Sequence, residues 1–130
     1  MAISLISYAK ADIRTSYSAL NEVRAKEGNE KAMKGIAAYH AQQAIEKIIK
    51  SEIYRVNPQI SPRKVYTHKI YDLCAVAEEH GIKIPKGIKD KSYMYSDWEA
   101  AGRYDLSFSV RVDSIEKALQ IAEKWLEEIE

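Results

Sequence analysis

Residues 29–54 read NEKAMKGIAAYHAQQAIEKIIKSEIY, and their spacing decides the fold class. Met33, Ile36, Ala37, Ala41, Ala44, Ile45, Ile48 and Ile49 recur at steps of three and four, which lines apolar side chains along one wide stripe of an α-helix. Asn29 suits the helix start, because its side-chain oxygen can accept from an early amide that has no partner of its own. The pattern predicts a helix running to about Tyr54 and, at about 1.5 Å rise per residue, roughly 35 to 40 Å long. Upstream, Ile6, Ala9, Ile13, Tyr17, Leu20 and Val23 repeat the same steps, while Lys10, Arg14, Asn21 and Glu22 fall on other faces. A first helix of comparable length is therefore expected over about 4–27. The short Gly28-Asn29 connection makes the two helices antiparallel neighbours.

Beyond this hairpin the punctuation changes. Asn57-Pro58-Gln59-Ile60-Ser61-Pro62 breaks the helix and opens a basic, aromatic loop with Arg63, Lys64 and Tyr66. Thr67 can cap a third, shorter helix carrying Ile70, Leu73, Cys74 and Ala77, stopped at Gly81. Residues 82–91 are expected to be a connector. Ser92 to Tyr104 is dense in aromatic residues and allows a fourth helix ending near Gly102. Leu106, Phe108 and Val110 alternate with polar residues but have no partner strand, so 106–110 is expected as an extended linker. Asp113-Ser114-Ile115-Glu116 reads as a capping box. It opens a C-terminal helix with the cleanest stripe in the chain: Ile115, Ala118, Leu119, Ala122, Trp125, Leu126 and Ile129. The expected architecture is all-α, an up-and-down bundle of four to five helices forming one domain over 1–130.

Composition supports one ordinary domain and narrows the function. The 130 residues are 46% hydrophobic and 30% charged, enough to bury a core. Lys and Arg number 20 against 19 Asp and Glu, a balance that argues against a large sequence-independent field for nucleic acid while leaving room for a local basic pocket. No DNA partner is expected. One cysteine and three histidines make no zinc spacing, so neither a metal nor another cofactor is expected. Cys74 reads as a small buried hydrophobe. The N-terminal apolar run is too short for a signal peptide, and no stretch nears the roughly 20 apolar residues of a membrane span. The expectation is a cytoplasmic protein without a membrane partner.

The chemistry-bearing residues fall into groups. His40, Gln43 and Lys47 lie along one flank of the second helix, where an imidazole, an amide and an ammonium could hold an anionic, hydrogen-bonding ligand such as a nucleotide. They could equally satisfy one another and a neighbouring helix. Arg63 and His68 stand five positions apart. A histidine that shuttles protons near neutral pH, beside a guanidinium that stabilises a charged phosphate, is the pair a metal-free ribonuclease needs; the same two residues could instead order a loop. Arg103, with Asp97, Glu99 and Asp105 near it in sequence, could hold a phosphate while Tyr104 stacks on a base, or it could be locked in an ion pair. His80, at a helix end before Gly81, suits the helix dipole. No glycine-rich phosphate loop, paired-carboxylate motif or Ser-His-Asp pattern is present.

The run Ala37-Ala38-Tyr39-His40-Ala41-Gln42-Gln43-Ala44-Ile45-Glu46-Lys47 resembles the second-helix signature of HEPN domains, the "higher eukaryotes and prokaryotes nucleotide-binding" family. Thr67-His68-Lys69-Ile70-Tyr71-Asp72-Leu73 is similar to that family's Thr-His-x-Leu segment with two extra residues. Ala101-Gly102-Arg103-Tyr104-Asp105 resembles its Ala-Arg-Tyr-Pro-Asp segment. The resemblance covers nearly the whole chain, and it implies a homodimeric bundle that partners a minimal nucleotidyltransferase in a toxin-antitoxin-like pair. Many such domains are metal-independent endoribonucleases with Arg, four to six residues, then His. Arg103 matches that arginine, but Phe108, Ser109 and Val110 occupy the histidine positions. Arg63 and His68 have the spacing in an earlier segment. The reading carried forward is a module that binds a nucleotide or RNA phosphate through His40, Gln43, Lys47, Arg103 and Tyr104. Its alternatives are a metal-independent ribonuclease, with catalysis assigned to Arg103, His68 and Arg63 and its histidine paired either as His68 with Arg63 or as His40 with Arg103, or a helical adaptor that binds neither.

Overall fold

A computed structural model describes residues 4–26, 28–104 and 110–130, apart from the side chains of residues 100–104. Seven helices are found among them: α1 (Leu5–Arg24), α2 (Glu30–Val56), α3 (Pro62–Val65), α4 (Ile70–Glu79), α5 (Lys86–Asp90), α6 (Ser92–Tyr104) and α7 (Val112–Ile129). The long ones, α1, α2, α4, α6 and α7, are the expected bundle; α3 and α5 are single turns within segments expected to be irregular. No strand occurs among the described residues.

The α1–α2 hairpin forms as its stripes dictate. Asn29 Oδ1 accepts from the Ala32 amide at 3.0 Å and caps α2. Helix α1 stops at Arg24, earlier than expected, and the chain turns through Lys26 and Gly28, both at positive φ. Small residues let the two helices approach closely: Ala9, Ala19, Ala37, Ala38, Ala41 and Ala44 are all buried, and Ser16 Oγ donates to the Ala37 carbonyl across the interface at 2.7 Å. Helix α2 is the centre of the molecule, packed against α1, α4, α6 and α7. Ile45, Ile48, Ile49 and Ile53 are fully buried there. Each such isoleucine contributes about 1.5 to 3 kcal/mol relative to an exposed one, so burial rather than helix propensity holds α2 in place.

Helix α4 runs beside the second half of α2 and is tied at both ends. At its start the Ile70 amide donates to Ser96 Oγ of α6 at 2.8 Å. The expected Thr67 cap does not form: the helix begins at Ile70, and Thr67 Oγ1 accepts instead from the Lys69 amide. At its end His80 Nδ1 donates to the Val76 carbonyl at 2.8 Å and Nε2 accepts from the Asn57 amide side chain at 3.1 Å. Those partners use both ring nitrogens, so His80 staples α4 to the end of α2. Helix α6 buries Tyr95 and Trp98, whose rings meet edge to face at 5.0 Å.

Helix α7 closes the bundle on the buried stripe Ile115, Ala118, Leu119, Ala122, Trp125 and Leu126. The expected capping box is absent. The helix opens at Val112, two residues too early for Asp113 to cap it, and Glu116 is drawn to Arg24 of α1 at 2.6 Å. That exposed pair, with Lys10–Glu130 at 2.7 Å, fastens α7 to α1 but adds little stability in solvent. Short helix α5 reaches α7 through Gly87, where a Cβ would meet Ile121 Cδ1 at 2.5 Å. The expected linker at 106–110 lies outside the described residues except for buried Val110. Among the described residues no helix is long and apolar enough to cross a membrane.

Candidate functional site

The buried face of α1 carries one acid. Asp12 lies on the stripe with Ala9, Ile13, Ser16 and Leu20, where an unpaired carboxylate would be costly. It is paired twice: His40 Nδ1 lies 2.8 Å from Oδ1, and Lys47 Nζ lies 2.5 Å from Oδ2. His40 and Lys47 are on the α2 face that meets α1, so one carboxylate ties two turns of α2 to the first helix.

From Lys47 the polar contacts continue along α2. Lys47 Nζ also reaches Gln43 Oε1 at 3.3 Å, Gln43 Nε2 donates to Gln42 Oε1 at 2.8 Å, and Gln42 Nε2 donates to Glu46 Oε1 at 3.1 Å and to the His68 carbonyl at 3.0 Å. Gln42 is fully buried and Glu46 nearly so. Lys50 Nζ reaches the second Glu46 oxygen at 2.9 Å, and His68 Nδ1 lies 3.0 Å from the first. Asp12, His40, Lys47, Gln43, Gln42, Glu46, Lys50 and His68 thus form one seam across α1, α2 and the loop before α4. No buried side-chain nitrogen or oxygen is left without a partner among the described residues, as a low-dielectric interior requires.

The electrostatics of Glu46 follow from its partners. Burial pushes its carboxyl up, but hydrogen bonds from Lys50, His68 and Gln42, with the Lys50 charge, outweigh burial and hold it below the ordinary carboxylate value. Glu46 is therefore an anion at neutral pH, fixed on both oxygens and available to orient an imidazole. The His68 side chain is 60% exposed. With Nδ1 turned inward to Glu46, Nε2 has no hydrogen-bond partner among the described residues. That is the geometry of a histidine held in one orientation with its second nitrogen open to exchange a proton.

His40, Gln43 and Lys47 are joined through Asp12 and Gln42, which sequence spacing did not single out. A signal existed, since an acid at position 12 on an apolar stripe demands a partner. Arg63 lies exposed on α3 and forms no ion pair with a described residue. From Ser61 to Tyr71 the chain carries Arg63, Lys64 and Lys69 and no Asp or Glu. Arg103 and Tyr104 occupy the last turn of α6; their side chains, and all of Asp105, lie outside the described residues. Cys74 is buried on α4, where burial and the nearby Glu78 charge push its thiol up to about 11, so it stays protonated at neutral pH. Among the described residues no group of His, Cys, Asp and Glu is large enough to hold a metal ion.

No curated protein and no solved structure gave a significant match to the chain. The family model of the HEPN domain matches residues 4–130, a span that takes in α1 to α7, the Asp12 to His68 seam and the last turn of α6. With a helical bundle centred on α2, and with the family model extending over nearly every residue, the chain belongs to the HEPN domain family.

Proposed function

We propose that this HEPN-domain chain is a module that binds the phosphate of a nucleotide or RNA where its polar seam opens to solvent, at His68, with Arg63 five positions before it in the chain. The carrying observation is the contrast in charge compensation along the seam. Asp12 takes up the charge of Lys47 and the imidazole of His40, so these residues, with Gln43, fasten α1 to α2 behind the site. His68 stands at the exposed end, oriented by a buried anion, in a stretch from 61 to 71 that carries cations and no acid of its own. Guanidinium and imidazole donors of this kind suit phosphate oxygens. Arg103 and Tyr104 belong to the proposal through the family resemblance of their segment, Arg103 as a phosphate clamp and Tyr104 as a stacking or donor group. The same resemblance supports a homodimer partnered by a minimal nucleotidyltransferase in a toxin-antitoxin-like pair; co-purification of a neighbouring nucleotidyltransferase would test that part.

The binding test is calorimetric titration with ATP and with a short single-stranded RNA, in chelator. Charge-assisted hydrogen bonds at about 1.5 to 3 kcal/mol each predict a loss of roughly tenfold or more in Arg63→Ala, His68→Ala and Arg103→Ala. Affinity unchanged in all of these variants would overturn the reading.

One observation favours a second reading, metal-independent RNA cleavage. Glu46 holds His68 Nδ1 while the ring stays exposed, which would let Nε2 take the proton from a ribose 2′-hydroxyl as its oxygen attacks the adjacent phosphorus and the 5′-oxygen leaves. Arg63 would steady the charged phosphate. Cleavage that survives chelator, leaves cyclic phosphate ends and is lost in His68→Ala would establish it; intact RNA would reject it.

A further inference from the structure

Tyr71 of α4 and Tyr93 of α6 are stacked, with ring centroids 4.4 Å apart and planes 17° from parallel. Tyr93 is 71% exposed, a large apolar surface left in water by a ring that already has a partner on one side. Lys69 Nζ lies 5.8 Å from the Tyr71 centroid. On the loop leading into this pair, Tyr66 is 88% exposed, between Arg63 and Lys64 on one side and His68 and Lys69 on the other. Tyr66 is five residues from Tyr71, so their Cα atoms lie within about 17 Å even along a fully extended chain.

We infer that the exposed face of the Tyr71–Tyr93 stack is a platform for the bases of single-stranded RNA, with Tyr66 as a second stacking point and Arg63, Lys64 and Lys69 along the phosphates. This rests on the phosphate-binding reading above and adds to it the part of the ligand that is recognised. Charge decides the occupant: the segment leading into Tyr71 is cationic, with no acid from 61 to 71, and the acids nearest the stack in sequence, Asp72 after Tyr71 and Asp90 before Tyr93, are accompanied by Lys69, Lys89 and Lys91. Aromatic rings interleaved with cations match alternating bases and phosphates. A double helix keeps its bases stacked on one another and has none to place on Tyr93. The ring is also pre-oriented, since contact with Tyr71 fixes its plane before a base arrives, which lowers the ordering cost of binding.

The test measures anisotropy of a labelled oligoadenylate RNA and of an abasic strand of the same length, with wild type, Tyr93→Ala and Tyr93→Phe. Stacking on one ring predicts that Tyr93→Ala weakens oligoadenylate binding roughly 5- to 100-fold. It leaves abasic binding unchanged, and Tyr93→Phe restores wild-type affinity. Equal binding of both strands by wild type, with no effect of Tyr93→Ala, would overturn the platform and leave the phosphate site standing. Binding of neither strand would overturn both. A matched DNA strand bound as tightly as RNA would overturn the assignment to RNA, and so would Tyr93-dependent binding of polyglutamate. Because Tyr93 is largely exposed, both variants are expected to stay folded, with the thermal midpoint unchanged in Tyr93→Phe and lowered by only a few degrees in Tyr93→Ala, which loses the stack on Tyr71.

Discussion

The two ends of the polar seam use similar side chains to opposite effect. At the Asp12 end a carboxylate on the buried face of α1 meets an imidazole and an ammonium from α2, and all three side chains are largely enclosed. At the Glu46 end a carboxylate on α2 meets an ammonium from its own helix and an imidazole from a loop, and that imidazole is mostly in solvent. An acid with one imidazole and one lysine can therefore be a fastener between helices or a mount for an exposed group. Which it becomes depends on whether the histidine comes from a packed helix or from a loop. The Asp12 end holds the hairpin, and the His68 end presents an imidazole to solvent.

Removing Asp12 should have the largest consequence. Asp12→Ala strands the Lys47 charge in a partly enclosed site, at a cost of about 2 to 3 kcal/mol, below the fully buried range because the groups keep some solvent contact. Urea unfolding would measure it, and Lys47→Met in the same chain should recover more than half of the loss. No recovery would mean that Asp12 acts through something other than this pair.

Glu46→Gln should cost less, about 1 to 2 kcal/mol at neutral pH, and its signature is pH dependence. The folded carboxyl lies below its unfolded value, so its contribution is complete above the unfolded value of about 4.3 and is lost as the pH falls through the folded one. The stability gap between wild type and Glu46→Gln should thus close on acidification in urea titrations. A gap that widened on acidification would contradict the partners assigned to Glu46.

Smaller still is the effect of loop charge on salt dependence. Arg63→Ala and Lys64→Ala should each flatten the log–log plot of RNA affinity against salt, by about 0.7 for every phosphate of a single strand that the variant no longer neutralises. The same substitutions should leave urea stability within about 0.5 kcal/mol, since both residues are exposed. The least change is expected at Cys74, which follows Tyr71 by one turn of α4. Its thiol should resist alkylation in the native state and react only on unfolding. Native labelling would show that α4, and the loop His68 stands on, is less firmly held than the seam implies.

Most of the bundle was legible because period alone reports it. The stripes of α1, α2 and α7 needed only counting, and each helix lies close to where its stripe ends. Helix starts were less legible. Thr67 and Asp113 both have the chemistry of a cap, but the chain enters α4 and α7 at Lys69 and Arg111; the Ile70 amide donates to Ser96 of another helix, and Glu116 pairs with Arg24 instead of reaching back. The site was half legible in the same sense. Spacing put His40, Gln43 and Lys47 on one flank, yet a sequence shows which residues share a face and not which helix faces them. Asp12, Gln42 and Glu46 were missed for that reason, although each is a polar residue at a buried position of a stripe. The two exposed ends of the Tyr66 to Tyr93 surface lie in different helices and loops, and only the packing of α4 on α6 brings Tyr71 and Tyr93 together.

The most direct test of a fastening end and a presenting end is one paired measurement: single-stranded RNA affinity and urea stability, in chelator, for Asp12→Asn and His68→Ala. The account predicts that Asp12→Asn loses stability while its folded fraction binds RNA within about twofold of wild type. His68→Ala should keep stability within about 0.5 kcal/mol and bind RNA roughly tenfold or more weakly. Weakened binding by folded Asp12→Asn, with wild-type affinity in His68→Ala, would contradict it.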